Sequence, residues 1–522
     1  MGSTPPTSDG TEWIRAVHHT LDYWVQVGRL AAAWPEALQR YVRPHLVPLA
    51  IATRRFQEVE RSRLWQRNWA ESAAAYAGLL GLNGLLLQRS LTGLQTALNR
   101  FWAVEGPRVQ ATAGDGLGHW DPAALADFVR RQVRLVDAVS RDYPQAVDAI
   151  ATEFGLHPDR GDAVRVDETD RFILYQVQPT DGNRTVDDRR KPLLILPPFV
   201  LGANILAFLP GRQRSYVHAF ANQGVPTYIR YLKPIATTEA LQTMTGDDDA
   251  RDTRRFCETL LKRHGRPVTL NGYCQGGFAA LCNLLSGELD GLVDALITCV
   301  APMDGTRSPG LSAFLRELPD VFNDLAYGTK TLANGNRVAD GTLMGWIYKL
   351  RSIADESPLA ALWRDLTLFA GQPGSTPTVS PTAAALNYWL THERFDLPLE
   401  ITRLSFASYT TPIASDGTLP VTLFGRSLSL QRLRQRPLPW LICYGEKDDL
   451  VEKEAALAPL DFIDAEVTAF PKGHVAIATS WSHPESEYAL HKTVGPGDRP
   501  GPVRFHLDLE AADKPRNGGG ER

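Results

Sequence analysis

One cysteine between two glycines is the residue of this chain best suited to nucleophilic chemistry. A short apolar stretch, Val268-Thr269-Leu270, leads through Gly272-Tyr273-Cys274-Gln275-Gly276 into a second apolar stretch that begins at Phe278. A strand that turns sharply into a helix around a nucleophile needs glycines, because side chains there would collide with neighbouring backbone. The helix would also place the Cys274 thiol at its positive end, which favours the thiolate. The alternative is that Cys274 is a small core residue at a strand end.

An aspartate and a histidine follow in the order that this kind of nucleophile requires. The predicted strand over 440–444 leads into Gly445-Glu446-Lys447-Asp448-Asp449-Leu450-Val451, in which Asp448 has the position expected of the acid and Asp449 is the second choice. His474 comes directly after a glycine, beyond the strand predicted over 466–470. Nucleophile, acid and histidine is the chain order of α/β-hydrolases. The alternatives are a solvated acidic turn and a surface histidine.

These three residues together predict acyl transfer through a covalent cysteine intermediate. His474 would take the thiol proton, Asp448 would orient the imidazole and stabilise its cation, and Cys274 would attack a carbonyl carbon. The developing oxyanion needs two backbone N–H donors. We expect one from Gln275 and one from the Pro198-Phe199-Val200 loop, from Phe199 or Val200.

The hydrophobic pattern predicts the elements that must position this site. Strands alternate with helices after an opening hairpin, which predicts a mostly parallel, doubly wound sheet. With the elbow, this is the α/β-hydrolase fold. The predicted strands are 163–166, 172–177, 193–196, 227–231, the elbow strand that begins at 268, 292–300, 440–444 and 466–470, and the predicted helices of this region include 215–223 and 249–263.

The same pattern predicts the domain organisation. We expect a disordered leader over 1–12, an N-terminal helical region over 13–160, an α/β-hydrolase core over 161–302 and 438–494, a cap insertion over 303–437, and a flexible tail over 495–522. A long insertion at this point of the fold is typical of a cap over the active site.

Within the N-terminal region, several features predict local structure. Pro35, Pro44 and Pro48 are expected to divide residues 13–102 into separate helices. Residues 106–118 are expected to be a linker and 122–150 a helix. Residues 73–87 are almost wholly apolar but short for a membrane span, which favours a buried or surface-docking helix. Trp65 and Trp69, four residues apart, are expected to share a helix face, either in the core or as a docking surface.

Composition and charge exclude several classes of function. The 522 residues carry a net charge of −4, which gives no reason to expect a nucleic-acid partner. The five cysteines have neither paired nor metal-type spacing, so we expect no metal and no cofactor, with the other four thiols buried in a reducing cytoplasm. We also expect no transmembrane span and no signal peptide.

With the three residues placed, the chain from Val164 to Ser480 resembles a polyhydroxyalkanoate synthase. The sequence over 272–277 is similar to the synthase box, and its Cys-Gln-Gly-Gly form is like that of the two-subunit synthases. Further similar segments are Leu194 to Val200, Pro302-Met303-Asp304, Asn387-Tyr388-Trp389, Gly445 to Val451 and Gly473-His474-Val475-Ala476.

The resemblance implies polymerisation of 3-hydroxyacyl-CoA into polyester, with release of coenzyme A. It also implies a protein at polyester granules, with a partner subunit or a homodimer as candidate assemblies and the N-terminal helices as candidates for contact with the polymer or the partner. One alternative is a thiol-dependent hydrolase with the same triad, such as a polyester depolymerase, a thioesterase or a dienelactone hydrolase. A second is a granule-associated protein without turnover. A site closed to water favours transfer, and an open water path favours hydrolysis.

Overall fold

The computed structural model describes residues 9–118, 122–182, 185–372 and 378–480. The predicted tail, most of the predicted leader and the last part of the predicted core therefore lie outside the described residues. The α-helices are, in chain order, α1 (Asp9–Arg63), α2 (Trp69–Gly118), α3 (Pro122–Asp137), α4 (Tyr143–Ala149), α5 (Tyr216–Ala221), α6 (Glu239–Gln242), α7 (Gly246–His264), α8 (Gln275–Ser286), α9 (Pro309–Glu317), α10 (Gly341–Arg351), α11 (Ile353–Glu356), α12 (Pro358–Ala370), α13 (Pro381–His392), α14 (Leu399–Thr410), α15 (Gln431–Gln435), α16 (Lys453–Ala456) and α17 (Ala476–Thr479).

The strands complete the inventory of regular structure. In chain order they are β1 (Ala163–Glu168), β2 (Phe172–Val177), β3 (Leu193–Leu196), β4 (Thr227–Leu232), β5 (Val268–Tyr273), β6 (Val293–Cys299), β7 (Thr329–Thr331), β8 (Arg337–Ala339), β9 (Leu397–Pro398), β10 (Thr418–Leu423), β11 (Arg426–Ser429), β12 (Trp440–Gly445) and β13 (Glu466–Phe470).

The chain divides into two compact units. The first consists of residues 1–150 and 345–388, and the second of residues 151–344 and 389–522. The stretch 345–388, which falls inside the predicted cap insertion, thus belongs to the unit that contains the N-terminal helices. The domain boundaries given above stay predictions.

The second unit is organised around an eight-stranded sheet, and it confirms the predicted α/β-hydrolase fold. The strand order is β1-β2-β4-β3-β5-β6-β12-β13. β1 and β2 open the sheet as an antiparallel pair, and β3 to β6, β12 and β13 pair in parallel. β3 and β5 are buried along their whole length, as expected for strands covered on both faces. Parallel strands end at one edge, so the residues that follow β5, β12 and β13 meet there.

The first unit has its own hydrophobic core between α1, α2, α3 and α12. Partly buried aromatic residues, among them Trp34, Tyr41 and Trp363, pack around it. The Tyr41 hydroxyl donates a hydrogen bond of 2.7 Å to Asp365. The buried members are Ala33, Ala37, Phe101, Leu135, Val136, Ala138, Val139, Leu362, Leu366, Phe369 and Ala370.

Two predictions for this unit are wrong. α1 continues through Pro35, Pro44 and Pro48. A proline inside a helix costs about 3 kcal/mol, which the packing of α1 against α3 and α12 must offset. The predicted linker over 106–118 is the end of α2. Just before this stretch, the buried carboxylate of Glu105 accepts hydrogen bonds from Arg108 at 2.6 Å and from Arg131 of α3 at 2.7 Å.

The prediction that Trp65 and Trp69 share a helix face, with the core as one alternative, is also wrong. Trp65 lies in the turn after α1, and Trp69 is the first residue of α2. Their side chains are 95% and 84% exposed. The predicted helix over 73–87 lies within α2, with Leu80 and Leu87 exposed, so it is not a fully buried helix. That it docks on a surface stays a prediction. No helix in the described part of the chain combines the length and the apolarity needed to cross a bilayer.

Candidate active site

Cys274 stands at the sharp turn between β5 and α8, as the elbow motif predicts. It has φ 50° and ψ −121°, a region that side-chain-bearing residues rarely adopt. Its N–H donates to the Cys299 carbonyl at 2.8 Å, and its carbonyl accepts from the Gly277 N–H at 2.9 Å. Backbone hydrogen bonds on both sides therefore hold the strained residue in place. The thiol is at the head of α8, where the helix dipole favours a negative charge.

Two glycines of the motif are required by close backbone approach. A Cβ on Gly276 would lie 2.1 Å from the Leu196 carbonyl oxygen, which belongs to the neighbouring strand. A Cβ on Gly272 would lie 2.4 Å from the Cα of Gly277, the third residue of α8. Neither neighbour is a flexible side chain, so any larger residue would force the strand and the helix apart.

Asp448 and His474 meet beside the elbow, after β12 and β13. The imidazole Nδ1 donates to Asp448 Oδ2 at 2.8 Å. The other carboxylate oxygen, Oδ1, accepts from the N–H groups of Leu450 and Val451, both at 2.9 Å. Because both oxygens accept hydrogen bonds, the ionised carboxylate fits this position. The second choice, Asp449, is exposed, and the carboxylate that His474 contacts is that of Asp448.

The charges around His474 favour its protonated form. Burial alone would lower the pKa of the imidazole, but the Asp448 carboxylate and then Cys274 reverse this effect and raise the pKa well above its usual value. Nε2 is buried and makes no hydrogen bond of ordinary geometry with any residue that the structure describes. Cys274 thus lies near enough to act electrostatically on the ring, and Nε2 is the ring atom left to exchange a proton.

Tyr273 supports the histidine in a way that the sequence did not indicate. Its hydroxyl donates to the backbone carbonyl of His474 at 2.8 Å, and the two rings meet edge-on with centroids 6.3 Å apart. Burial raises the pKa of Tyr273 well above its usual value, so the phenol stays a donor. The residue before the nucleophile therefore fixes the loop that carries the base. Its only sequence signal is its place next to Cys274.

The predicted oxyanion donors lie on two elements that touch each other. The Gln275 N–H is the first of α8 and makes no backbone hydrogen bond to the described residues. The Val200 N–H, from the loop after β3, donates to the side-chain oxygen Oε1 of Gln275 at 3.3 Å. Phe199 is buried, and its ring centre is 5.6 Å from the Arg230 guanidinium carbon. The structure therefore places Val200 beside Gln275. The Gln275 side chain joins the two, and the sequence did not indicate this contact.

The loop that carries Val200 is fixed from its other side. The indole N–H of Trp389 donates to the Leu201 carbonyl at 3.2 Å, and the Phe395 N–H donates to the Val200 carbonyl at 3.5 Å. A Cβ on Gly202 would lie 2.4 Å from the Phe395 ring. The loop therefore has little freedom to move away from the elbow.

The other four cysteines are buried free thiols, as expected. Burial raises the pKa of Cys257 to about 12, and it raises the pKa of Cys282 further. Cys299 and Cys443 face each other on the paired strands β6 and β12. Cys274 differs from these four in standing on the elbow at the head of α8, close enough to His474 to act on its pKa, which leaves it as the candidate nucleophile.

Comparisons with known proteins add little to this geometry. No protein-family model and no curated protein matches the chain. Among solved structures, it is similar to the esterase RhEst1 from Rhodococcus sp. ECU1013, with 12% identity and a TM-score of 0.33 over 67% of this chain and 98% of the esterase. It is also similar to naproxen esterase from Bacillus subtilis, with 15% identity and a TM-score of 0.31 over 65% and 93% of the two chains.

A further similar structure is a meta-cleavage product hydrolase from Pseudomonas fluorescens IP01, with 13% identity and a TM-score of 0.29 over 59% of this chain and 89% of the hydrolase. These values are too low to carry an inference about substrate or reaction. The chain has the α/β-hydrolase fold, and that assignment depends on the strand order and the elbow described above.

Proposed function

We propose that Cys274, Asp448 and His474 form a catalytic triad, and that the protein is a cysteine-dependent acyltransferase of the polyhydroxyalkanoate synthase type. Its substrate would be 3-hydroxyacyl-CoA, and its products polyester and coenzyme A. The observation that carries the proposal is the hydrogen bond of 2.8 Å between His474 and Asp448 beside a cysteine on a nucleophile elbow. No cofactor is needed, because every step is a proton or acyl transfer.

The reaction would proceed in two acyl transfers. The Cys274 sulfur attacks the thioester carbon, His474 Nε2 takes the thiol proton, and the bond from that carbon to the sulfur of coenzyme A breaks. The proton then passes to the departing thiolate. In the second transfer, His474 takes the proton of an acceptor hydroxyl, the new ester bond forms, and Cys274 leaves and regains a proton. Exchange of one thioester for another changes the free energy little, which suits a cysteine nucleophile.

The burial of the site supports transfer over hydrolysis. Cys274 is 4% exposed, and the Asp448 side chain is fully buried. The Nε2 atom of His474 is buried as well. An acyl-enzyme in such a site is shielded from water while it waits for a hydroxyl acceptor. The residues that cover it must move to admit coenzyme A.

The proposal extends to the setting of the protein. It places the chain in the cytoplasm at polyester granules, with a partner subunit or a second copy as candidate assemblies and residues 303–437 as the cap insertion. The N-terminal helices remain candidates for contact with the polymer.

Release of coenzyme A from 3-hydroxybutyryl-CoA tests the proposal, with the product analysed as polymer or free acid. Wild type should release coenzyme A and form polymer, and Cys274→Ala should do neither. Cys282→Ala is the matched control, because it removes another buried thiol eight residues further along, on α8, and should keep the activity. Free acid that disappears in Cys274→Ala would instead establish a thiol hydrolase. Equal release by wild type and Cys274→Ala would refute the triad.

A further inference from the structure

The turn between α1 and α2 presents two tryptophans to solvent at a point where the chain reverses. The rings of Phe56 and Tyr76, twenty residues apart, meet edge-on with centroids 5.1 Å apart, so the chain doubles back between them. Residues 61–69, here called the Trp–Arg turn, form the end of this reversal. Trp65 is 95% exposed and Trp69 84% exposed. Exposing two indoles to water is unfavourable, which indicates that something else covers them.

The Trp–Arg turn is an ordered element, since several contacts fix its backbone. The carboxylate of Glu60 is buried, accepts a hydrogen bond of 3.3 Å from Arg67, and lies 3.9 Å from the Arg63 guanidinium. Asn68 caps α2: its side-chain oxygen accepts from the Glu71 N–H at 2.9 Å. The backbone that carries the two tryptophans is therefore fixed by Glu60 on one side and by the Asn68 cap of α2 on the other.

The charge of the Trp–Arg turn is positive, in contrast to the chain as a whole. Arg61, Arg63 and Arg67 are its charged residues, and it contains no aspartate or glutamate. Arg61 is exposed and makes no ion pair with the described residues. The whole chain has a net charge of −4. A cationic, aromatic surface on an acidic protein is complementary to a surface that carries negative charge.

An exposed apolar stripe on α2 continues from Trp69. Tyr76, Leu80, Leu87 and Leu91 follow at spacings of seven, four, seven and four residues, which places them on one side of the helix. All four are exposed. Residues 72–88 carry no charged side chain. A helix face of this kind is suited to the interface of a bilayer, where its apolar side chains would reach the acyl chains and its ends would stay in water.

We propose that the Trp–Arg turn, with the adjoining stripe of α2, binds the surface of a bilayer that carries anionic phospholipid headgroups. The two indoles are almost fully exposed, so they suit a fluid surface that can close around them better than a folded partner that would need a matching groove. Tryptophan prefers the headgroup level, and arginine pairs there with phosphate. This inference is independent of the proposed reaction, since binding is measured without turnover.

Flotation of the full-length protein with vesicles tests the inference. Wild type should float with vesicles of equal parts phosphatidylcholine and phosphatidylglycerol, and much less with pure phosphatidylcholine. The double variant Trp65→Ser, Trp69→Ser should lose at least about tenfold in partitioning. Arg61→Gln should lose about fivefold on the anionic vesicles and nothing on the neutral ones. Trp102→Ser is the matched control, because Trp102 is an exposed tryptophan of α2 outside the turn.

Three outcomes would overturn the inference. The first is equal flotation of wild type and the double tryptophan variant, with thermal unfolding unchanged as proof of folding. The second is binding that does not depend on anionic lipid or falls little with added salt, which would indicate an apolar polymer surface as the occupant. The third is no vesicle binding by wild type together with a dimer that the tryptophan variant converts to monomer, which would assign the face to a second copy of the chain.

Discussion

Replacing Asp448 by asparagine removes one negative charge from the site and keeps the shape of the side chain. Asparagine can still accept from the N–H groups of Leu450 and Val451, which now bond to Oδ1 of the aspartate. It can no longer stabilise a positive charge on His474, and its amide can hold the imidazole in the wrong tautomer. The variant therefore tests the charge of Asp448 apart from its packing.

The expected loss of rate follows from the geometry of the pair. Asp448 Oδ2 lies 2.8 Å from His474 Nδ1, and the Asp448 side chain is fully buried. Two unit charges about 4 Å apart at an effective dielectric constant of about 20 attract by about 4 kcal/mol. Since about 1.4 kcal/mol is a factor of ten in rate, kcat/KM should fall by about a thousandfold.

Two assays read this loss in different ways. Release of coenzyme A from 3-hydroxybutyryl-CoA gives kcat/KM, provided that wild type turns over this substrate. The NMR resonance of the His474 ring, followed against pH, reports the protonation of the imidazole without any turnover. Asp448 raises the pKa of His474, so its removal lowers that pKa. The midpoint of the His474 titration should therefore move to lower pH in the variant.

Asp449→Asn is the matched control, because it makes the same change one residue away on an exposed side chain. It should keep kcat/KM within about threefold of wild type, as surface substitutions usually do. The reasoning would be refuted if Asp448→Asn kept wild-type activity and the wild-type midpoint of the His474 titration. If Asp449→Asn alone lost a thousandfold in kcat/KM, Asp449 rather than Asp448 would be the acid of the triad.

Three further changes test how the site is built. Burial lowers the pKa of His218 from 6.5 to about 4, so the folded protein loses stability as pH falls from 6.5 towards 4. Between pH 7 and pH 5 the free energy of unfolding should fall by about 2 kcal/mol. Urea unfolding of His218→Gln should not show this fall. Gly276→Ala should abolish activity and lower Tm, because its Cβ meets a backbone carbonyl, whereas Gly211→Ala has open space and should change neither. Tyr273→Phe removes the hydrogen bond to the His474 carbonyl and should lower kcat about fivefold, equivalent to about 1 kcal/mol, with KM unchanged.

The sheet and the three triad candidates could be predicted because each carries a local signal. The ends of β3 and β13 agree with the prediction. β3 is a short apolar run and β13 a short alternating one, and turn residues flank both. Cys274 is marked by its glycines, and Asp448 and His474 by their places after late strands. That Asp448 rather than Asp449 pairs with the imidazole is settled only by the backbone of the turn, whose N–H groups bind Oδ1 of Asp448.

The N-terminal helices could not be predicted in the same way, because packing outweighs local preference there. Three prolines lie inside α1, and glycines lie inside the end of α2, yet both helices continue. Trp65 and Trp69 have a spacing typical of one helix face, but Asn68 starts a new helix between them. Spacing alone does not show where a helix ends, and aromatic character alone does not show whether a side chain is buried.

The side-chain oxygen of Gln275 already accepts the Val200 N–H, so a change at Gln275 tests the predicted oxyanion site. If Val200 is a donor to the oxyanion, the substrate oxygen must displace Gln275 Oε1, which now accepts that N–H at 3.3 Å. A hydrogen bond of this kind contributes about 1 kcal/mol. Gln275→Ala removes the competitor and keeps both backbone donors, so kcat/KM should rise by about fivefold. A fall of similar size with unchanged KM would instead show that the Gln275 amide holds the Val200 loop in place during the reaction. Either result would separate the two roles that one side chain could have at this elbow.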